Sequence, residues 1–276
     1  MTSAPVSPPA PAGAPTPSAL PRVPLPESFL RLPIAHRALH DAAEGRPENS
    51  RAAVRAALAA GYGVEIDIQL SADGVAMVFH DEKLTRLTQH TGWLRERTAA
   101  ELGTILLREG DEGIPTLAEV LEILHGRVPL LIEIKDPSGG TATETGGAEA
   151  AVAAALEGYP GPVAVMSFNP AFVAAFGALR PDLPRGLVTC SYDPQEWDAL
   201  TPEDCQRLRG IPDYDAVGAS FISHQRTDLG RSRVAELKAA GAAVLSWTIR
   251  SPAEEAEARK VAQNVTFEGY LAELPA

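Results

Sequence analysis

The sequence predicts an α/β fold in which eight parallel strands close into a TIM (β/α)8 barrel, with a small insertion after the third strand. Three observations lead to this prediction. Short apolar runs alternate with Ala-rich helical segments from Leu32 onward, eight such runs can be counted, and the chain has 276 residues. Strands that alternate with helices form parallel βα units, and a barrel of eight units commonly occupies about 250 residues. The pattern alone also allows an open, doubly wound sheet.

The candidate strands are short runs that are rich in Val, Ile, Leu and Ala. They cover residues 32–36, 64–70, 75–80, 128–135, 162–168, 185–190, 214–220 and 242–249. Between most of them, a helix start is indicated by a capping residue or by Pro in the first turn. These signals are Asn49-Ser50, Thr116 with Glu119, Asn169-Pro170, Asp193-Pro194, Thr201-Pro202 and Ser251-Pro252. They place a helix after most of the strands, as a barrel of βα units requires.

Two segments depart from this alternating pattern. Residues 1–30 are dominated by Pro, Ala and Ser. Such a segment has too little apolar mass to offset the entropy of ordering, so we expect a disordered tail there. Residues 82–115 separate the third strand from its helix, and we expect them to form the small insertion. The barrel domain is therefore predicted to span residues 31–276.

Composition and charge restrict the classes of function. A formal net charge of -12 argues against a nucleic-acid partner, but it permits a small anionic substrate held beside a cation. No run approaches the roughly 18 apolar residues of a membrane span, and no basic segment is followed by an apolar leader. Cys190 and Cys205 lack the spacing of a zinc or redox motif. We expect a cytoplasmic protein without stable membrane association, and the sequence makes no prediction of oligomeric state.

Carboxylates within the predicted strands are the first indication of a functional site. Glu65 and Asp67 are two residues apart, so their side chains leave the same face of a strand. Two carboxylates there repel each other unless a cation lies between them, and oxygen ligands suit Mg²⁺, Ca²⁺ or Mn²⁺ better than zinc. Glu133 and Lys135 repeat this spacing, so Glu133 can join the cation site while Lys135 reaches a phosphate. A salt-bridge network that lines the barrel is the alternative interpretation.

Two histidines end apolar runs, at the face of a barrel where active sites lie. His36 and His80 are each followed by a charged residue, and together they favour an acid/base pair over isolated packing histidines. Arg37 can bind a phosphate through both arms of its guanidinium, or it can pair with Glu48 or Asp81. Glu48 precedes a helix, where a carboxylate ordinarily complements the helix dipole, and it is also a candidate metal ligand.

Six motifs follow one another in a fixed order between residues 34 and 136. They are IAHRA (34–38), RPENS (46–50), GVEIDIQLSADG (63–74), VFHDEKLTRLT (78–88), IPTLAEVLEIL (114–124) and IEIKD (132–136). This order resembles the glycerophosphodiester phosphodiesterase family, in its bacterial, cytosolic form. MSFNP (166–170) and LSWTI (245–249) match more loosely. The combination is much more specific than any one of the motifs.

The resemblance implies metal-dependent hydrolysis of glycerophosphodiesters, small phosphodiester substrates, to glycerol 3-phosphate and an alcohol. It implies that the general acid and base are His36 and His80, and that the substrate is bound by Arg37, Lys135 and Trp247. It implies one divalent cation, Mg²⁺ or Ca²⁺ with Mn²⁺ as a third candidate, whose ligands are Glu48, Glu65, Asp67 and Glu133. In such enzymes the glycerol hydroxyl next to the phosphoester can attack phosphorus, and water then opens the cyclic phosphate. The metal would lower the pKa of that hydroxyl.

Three features depart from the family. Ala38 stands where the family usually has Gly, which suggests a different path for the loop that follows Arg37. The loop 39–46 is longer and more polar than usual, and residues 264–274 replace the common terminal motif of the family. These departures concern the choice of leaving group more than the reaction class.

Two alternative functions keep the same barrel. A phospholipase D- or C-like enzyme that acts on lysophospholipids or phosphoinositides would need an exposed apolar lip, and the sequence has no basic amphipathic segment that would seek membranes. An inactive barrel used for binding would have no need of the catalytic groups, whereas both histidines and all the motif carboxylates are present.

Overall fold

The computed structural model describes residues 20–139, 145 and 147–275. In this part of the chain the strands are β1 Ile34–Ala35, β2 Gly63–Leu70, β3 Ala76–Val78, β4 Leu130–Ile134, β5 Val163–Ser167, β6 Arg185–Thr189, β7 Phe221–Gln225, β8 Ala243–Ile249 and β9 Asn264–Phe267. The α-helices are α1 Ser28–Arg31, α2 Arg51–Ala60, α3 Ala99–Leu102, α4 Leu117–Leu124, α5 Ala148–Ala155, α6 Pro170–Leu179, α7 Pro202–Arg209, α8 Ser232–Ala239 and α9 Pro252–Ala258.

Eight of these strands form a closed parallel ring. Its order is β1, β2, β4, β5, β6, β7, β8 and β9, and it closes because β1 pairs with both β2 and β9. Apolar side chains of the longer helices pack against the outward face of the ring. The predicted fold class, a TIM barrel with an insertion after the third strand, is confirmed.

The third strand lies outside the ring, contrary to the prediction that residues 75–80 form a barrel strand. β3 pairs antiparallel with the last residues of β2, on the edge that β1 leaves free. The reason is the short connection between Leu70 and Ala76, which contains Asp73-Gly74. A parallel neighbour needs a crossover of about a dozen residues or more, whereas a tight turn returns the chain antiparallel.

The other two corrections concern the end of the chain. The seventh barrel strand is β7, and residues 212–218 just before it form turns, where a strand at 214–220 was predicted. Gly218 has a φ of +63°, which a strand does not accommodate. The eighth barrel strand, β9, was not predicted, because Asn and Thr dilute its short apolar pattern and the stretch 264–274 read as a departure from the family.

Strand alternation divides the buried side chains of the barrel strands between two clusters. One lies between ring and helices, and the other fills the barrel interior with side chains that include Leu131, Met166, Phe221 and Leu245. Phe29 of α1 belongs to the interior cluster and is fully buried. The interior is therefore a packed core, and the space for a site lies above it.

Residues 20–30, which were predicted to belong to the disordered tail, are ordered. Leu25 and Phe29 are buried and α1 begins at Ser28, so residues 20–30 are not part of a disordered tail. Burial of the apolar side chains in VPLPESFL offsets the entropy that is lost when this segment becomes ordered. The Pro-rich composition had led to the opposite expectation. The prediction for residues 1–19 lies outside the described residues.

Most predicted helix starts are confirmed. Ser50 caps α2, Thr116 and Glu119 form a capping box on α4, and Pro170, Pro202 and Pro252 begin their helices. The helix expected at Asp193-Pro194 is wrong, since turns and irregular chain follow there. Residues between β3 and α4 contain a 3₁₀-helix, Leu94–Glu96, and α3, and they bury an apolar cluster of their own. None of the described helices has the length and apolar character that crossing a membrane requires.

Candidate active site

Three carboxylates converge on the inward face of β2 and β4. Glu65 and Asp67 alternate along β2 with apolar residues that pack against the helices. Asp67 lies opposite Glu133 in the parallel pair of β2 and β4. The three residues are 1%, 1% and 7% exposed, and one oxygen of each lies within 4.8 Å of the others. Register and alternation thus bring together three of the predicted metal ligands.

Glu65 is the carboxylate of this cluster whose burial is least offset by hydrogen-bond and ion-pair partners. Burial, together with the charges of Asp67 and Glu133, raises the pKa of Glu65 well above its ordinary value. Its Oε2 accepts a hydrogen bond from the backbone N–H of Arg37 at 2.8 Å, whereas Oε1 is buried without a hydrogen-bond partner in the described chain. A buried oxygen without a partner costs free energy. An all-oxygen donor set with one unpaired oxygen fits a hard divalent cation, which Glu65, Asp67 and Glu133 would hold.

Lys135 supplies positive charge beside the carboxylates. Its Nζ lies 2.8 Å from Asp67 Oδ1 and 2.7 Å from Glu133 Oε1. Burial would raise the pKa of Asp67, but Lys135, His80 and Arg37 outweigh it and hold that pKa below its ordinary value. Burial likewise would lower the pKa of Lys135, and the two carboxylates instead raise it. The alternative interpretation, a salt-bridge network, accounts for these contacts but leaves Glu65 Oε1 without a partner.

His36 directly follows β1 and faces the last strand of the ring. Its backbone N–H donates to Phe267 O at 2.8 Å, and its ring Nδ1 lies 2.6 Å from Oε2 of Glu268. Burial lowers the pKa of His36, while the bond to Glu268 acts in the opposite direction. Glu268 was not predicted from the sequence. The available signal was its place directly after an apolar strand, as for His36, but β9 itself had not been recognised.

His80 follows β3, and a carboxylate bonds to its ring Nδ1, the same nitrogen as in His36. Its Nδ1 lies 2.7 Å from Oδ1 of Asp81. Burial would raise the pKa of Asp81, but bonds to His80 and Arg86 hold it below its ordinary value. Both predicted catalytic histidines therefore have Nδ1 engaged by an ionised carboxylate. This arrangement leaves Nε2 of each ring as the nitrogen available for proton transfer.

Of the two carboxylates that the sequence offered as partners of Arg37, Glu48 and Asp81, the structure pairs it with Glu48. Nη1 of Arg37 donates to Oε1 of Glu48 at 2.8 Å, and Arg86 donates to both oxygens at 2.7 and 2.9 Å. Burial would raise the pKa of Glu48, but the two guanidinium groups hold it below its ordinary value. Glu48 is not one of the three clustered carboxylates, so its assignment as a metal ligand stays a prediction.

Asn49 is a second residue whose role was missed. It was interpreted as a possible helix cap, whereas Ser50 is the cap. Asn49 is buried with a φ of +58°, and its Nδ2 donates to Asp67 Oδ2 at 2.9 Å. Asparagine tolerates the left-handed conformation better than most residues, so the Glu-Asn pair before α2 can present one side chain to Arg37 and the other to the carboxylate cluster.

Most of the predicted site residues, though not Glu48 or Asp67, line one cavity of about 260 Å³ at the carboxyl end of the strands. The predicted residues that line this cavity are His36, Arg37, Glu65, His80, Glu133, Lys135 and Trp247. The apolar part of its lining comprises Met166, Phe168, Val188 and Trp247. Trp247 packs edge-on against Phe168, with ring centroids 5.6 Å apart, and its Nε1 donates to Ser223 O at 2.9 Å. The cavity therefore combines charged side chains with a smaller apolar patch, as suits a substrate with a phosphate and a carbon chain.

Fold and site together define a hydrolase of phosphate diesters built on a (β/α)8 barrel. The sequence model of the glycerophosphoryl diester phosphodiesterase family matches residues 36–266. The chain belongs to this family. Members of the family generally depend on a divalent metal ion, and the buried triad of Glu65, Asp67 and Glu133 is a site that can bind one.

Individual relatives agree with this assignment. YhdW of Bacillus subtilis is 28% identical over 229 residues, which are 79% of this chain and 86% of YhdW. A glycerophosphodiester phosphodiesterase of Bacillus altitudinis is 33% identical over 152 residues, 52% of this chain and 61% of that protein.

Solved structures show the same architecture. A phosphodiesterase of Oleispira antarctica, determined in complex with the product sn-glycerol-3-phosphate, superposes with a TM-score of 0.70 at 26% identity, covering 87% of this chain and 94% of that chain. The enzyme of Thermotoga maritima shares the fold at 21% identity, with a TM-score of 0.63 and coverage of 86% and 94%.

Proposed function

We propose that this enzyme hydrolyses small glycerophosphodiesters to glycerol 3-phosphate and an alcohol, with two histidines and one divalent cation. The observation that carries the proposal is the cavity that His36, His80, Glu65 and Glu133 line, with Asp67 completing the carboxylate triad directly beside it. The product bound in the Oleispira antarctica enzyme supports the same substrate class.

We assign the two proton transfers to His36 and His80. One takes the proton of the attacking glycerol hydroxyl as its oxygen bonds to phosphorus, and the other protonates the alcohol oxygen as the bond to phosphorus breaks. Water then opens the cyclic phosphate with the two roles exchanged. The carboxylates on the two Nδ1 atoms support this assignment, because they orient each ring with Nε2 free.

We assign the stabilisation of negative charge on the phosphate to Arg37, Lys135 and the cation. Glu65, Asp67 and Glu133 would hold Mg²⁺ or Ca²⁺, with Mn²⁺ as a third candidate, since oxygen ligands suit these ions. When bound there, the cation would lower the pKa of the attacking hydroxyl and offset charge that develops on the phosphate. Arg37 and Lys135 bind the phosphate oxygens, and Trp247 packs against the glycerol carbons from the apolar patch.

We propose further that the enzyme acts in the cytoplasm on water-soluble substrates, without stable membrane association or nucleic-acid binding. Both cysteines are free and buried, which is usual in a reducing compartment. The net charge of -12 disfavours anionic lipid surfaces and nucleic acids.

The test is a matrix of substrates and metals. Purified protein is incubated with Mg²⁺, Ca²⁺ or Mn²⁺ and with glycerophosphocholine, other deacylated head groups, or monoacyl lysophospholipid. Glycerol 3-phosphate should be released from at least one deacylated substrate, whereas the monoacyl substrate should be cleaved more slowly, to its head-group alcohol and lysophosphatidic acid. Faster turnover of the monoacyl substrate would favour the phospholipase alternative, and no product with any head group would reject the proposed substrate class.

The catalytic roles are tested by substitution in the same assay. His36→Ala and His80→Ala should each lower kcat by roughly 10²- to 10⁴-fold, which is the usual contribution of a general acid or base. The matched control is His90→Ala, which removes an exposed loop histidine and should leave kcat unchanged. Full activity in both site variants would reject the acid/base assignment and favour a different proton path.

A further inference from the structure

Glu268 occupies a central place in the wall of the catalytic cavity. It directly follows β9, and its side chain is 18% exposed. Oε2 lies 2.6 Å from Nδ1 of His36, and Oε1 accepts a hydrogen bond from Nε of Arg250 at 2.8 Å. Nε2 of His40 lies 3.6 Å from Oε2. Three basic side chains thus surround one carboxylate at the mouth of the site.

We propose that Glu268 is the positioning residue for His36: it holds the proton on Nδ1 and directs Nε2 of the ring toward the substrate. The inference rests on the proposed role of His36 in proton transfer. A carboxylate on Nδ1 fixes the tautomer and the orientation of a catalytic imidazole, and it stabilises the imidazolium that forms when Nε2 takes a proton.

Closure of the barrel brings the two residues together. Ala35 of β1 lies opposite Phe267 of β9, so the residues that follow, His36 and Glu268, emerge side by side at the end of adjacent strands. The backbone N–H of His36 donates to Phe267 O at 2.8 Å. The separation of the two side chains is therefore fixed by the last pairing of the ring.

The surrounding charges keep the carboxylate ionised. Burial would raise the pKa of Glu268, but His36, His40 and Arg250 outweigh it and hold that pKa below its ordinary value. The negative charges of Glu268 and Asp67 favour the protonated form of His36, whereas the positive charge of Arg37 opposes it. Burial lowers the pKa of His36, so Glu268 offsets part of the desolvation of the ring.

The experiment uses Glu268→Gln, which keeps the shape of the side chain and removes its charge. We expect kcat to fall by on the order of 10- to 100-fold, within the range of acid/base contributions, while KM changes by less than about threefold. Because the negative charge that raises the pKa of His36 is lost, one limb of the pH profile of kcat/KM should move to lower pH and the other should stay.

A double substitution tests whether Glu268 acts through His36. Adding Glu268→Gln to His36→Ala should cause no further loss of kcat, because the group that is positioned has already been removed. Multiplicative losses would show that Glu268 acts independently and would overturn the proposal. If His36→Ala is itself fully active, the proposed catalytic role of His36 fails, and that result is distinct from failure of the present inference.

Glu255→Gln is the matched control. Glu255 is a partly buried carboxylate on α9 that bonds to Arg259 and to the hydroxyl of Tyr270, outside the catalytic cavity. It should keep wild-type kcat and an unmoved pH profile. A loss of kcat in Glu268→Gln with both limbs unmoved and a lowered Tm would indicate a merely structural role. Wild-type kinetics in Glu268→Gln would overturn the proposal directly.

Discussion

At the scale of single residues, the proposed cation site contains one carboxylate whose charge is not balanced by partners. Asp67 has Lys135 and Asn49 as partners, and Glu133 has Lys135, whereas Oε1 of Glu65 has none among the described residues. The repulsion and desolvation at Glu65 destabilise the folded chain when no cation is present. A bound cation would remove this cost, so binding at the proposed site should raise the free energy of unfolding.

We therefore predict opposite effects of Glu65→Gln with and without metal. In wild-type protein, metal at about 100 times its Kd should add roughly 2.7 kcal/mol and raise Tm by on the order of 5–10 °C. Glu65→Gln should lose most of that shift, because one ligand charge is gone. In the presence of EDTA its Tm should equal or exceed that of wild type, because the repulsion is gone too.

Thermal unfolding with EDTA, Mg²⁺, Ca²⁺ and Mn²⁺ measures both effects. Glu122→Gln, in an exposed carboxylate of α4, is the control and should keep the wild-type shift with each metal. If the metals raise the Tm of Glu65→Gln as much as that of wild type, Glu65 is excluded as a metal ligand.

The residues of the site differ in how well the sequence predicts them. Glu65, Asp67, Glu133 and Lys135 were predicted because spacing of two along a strand fixes a shared face. Glu268 could not be paired with His36 in the same way, since their proximity depends on which strand closes the ring. Contacts made by long side chains across loops, such as those of Arg86, have no sequence period at all.

At the scale of elements, the segment between β3 and α4 is attached to the site through Arg86. This side chain bonds to both oxygens of Glu48, which precedes α2, and to both oxygens of Asp81, which orients His80. Arg86 therefore joins the inserted segment to the loops that carry Arg37 and His80. It also contributes to the lowered pKa values of Glu48 and Asp81.

Arg86→Gln should make the fold more sensitive to acid. A carboxyl whose folded pKa is lowered adds stability that is present above its unfolded pKa and is lost as the pH falls through the folded pKa. Without Arg86 the pKa values of Glu48 and Asp81 move up toward their unfolded values, so unfolding should begin at a higher pH, by roughly 0.5 unit. The measurement is far-UV circular dichroism during titration from pH 7 to pH 2.

The comparison variant for this prediction is Arg108→Gln. Arg108 belongs to the same segment, but its guanidinium donates to the backbone carbonyl of Thr85. It should unfold at the wild-type pH. Equal acid unfolding of wild type and Arg86→Gln would mean that solvent screens the pairs of this half-exposed arginine completely.

The element pattern also explains which strands were predicted correctly. Six barrel strands were recognised because both of their faces are buried and their apolar runs are continuous. β3 was assigned to the ring from composition, although five residues between Leu70 and Ala76 leave no room for a crossover helix. β7 and β9 were missed because Ser, His, Asn and Thr interrupt them, and these polar residues lie where the strands face hydrogen-bonding partners or the site.

At the scale of the whole molecule, the barrel is open to substrate at one end and closed by α1 at the other. Phe29 is fully buried within the interior cluster, and its carbonyl accepts a hydrogen bond from Nδ2 of Asn264 at 2.7 Å. Asn264 begins β9, whose far end leads to Glu268. The chain before the first strand and the last strand of the ring are thus held together at the end opposite the site.

This separation predicts that stability and catalysis can be changed independently. Phe29→Ala should lower the free energy of unfolding by about 3–5 kcal/mol, the usual cost of removing a buried aromatic ring. The kcat of the folded fraction should stay within about twofold of wild type, because the catalytic cavity lies beyond the packed interior layers. Urea unfolding and kinetics at low temperature measure the two quantities separately. Leu106→Ala, at a residue that is 54% exposed, should change neither. A large loss of kcat in Phe29→Ala at full folding would show that the interior core sets the geometry of the site.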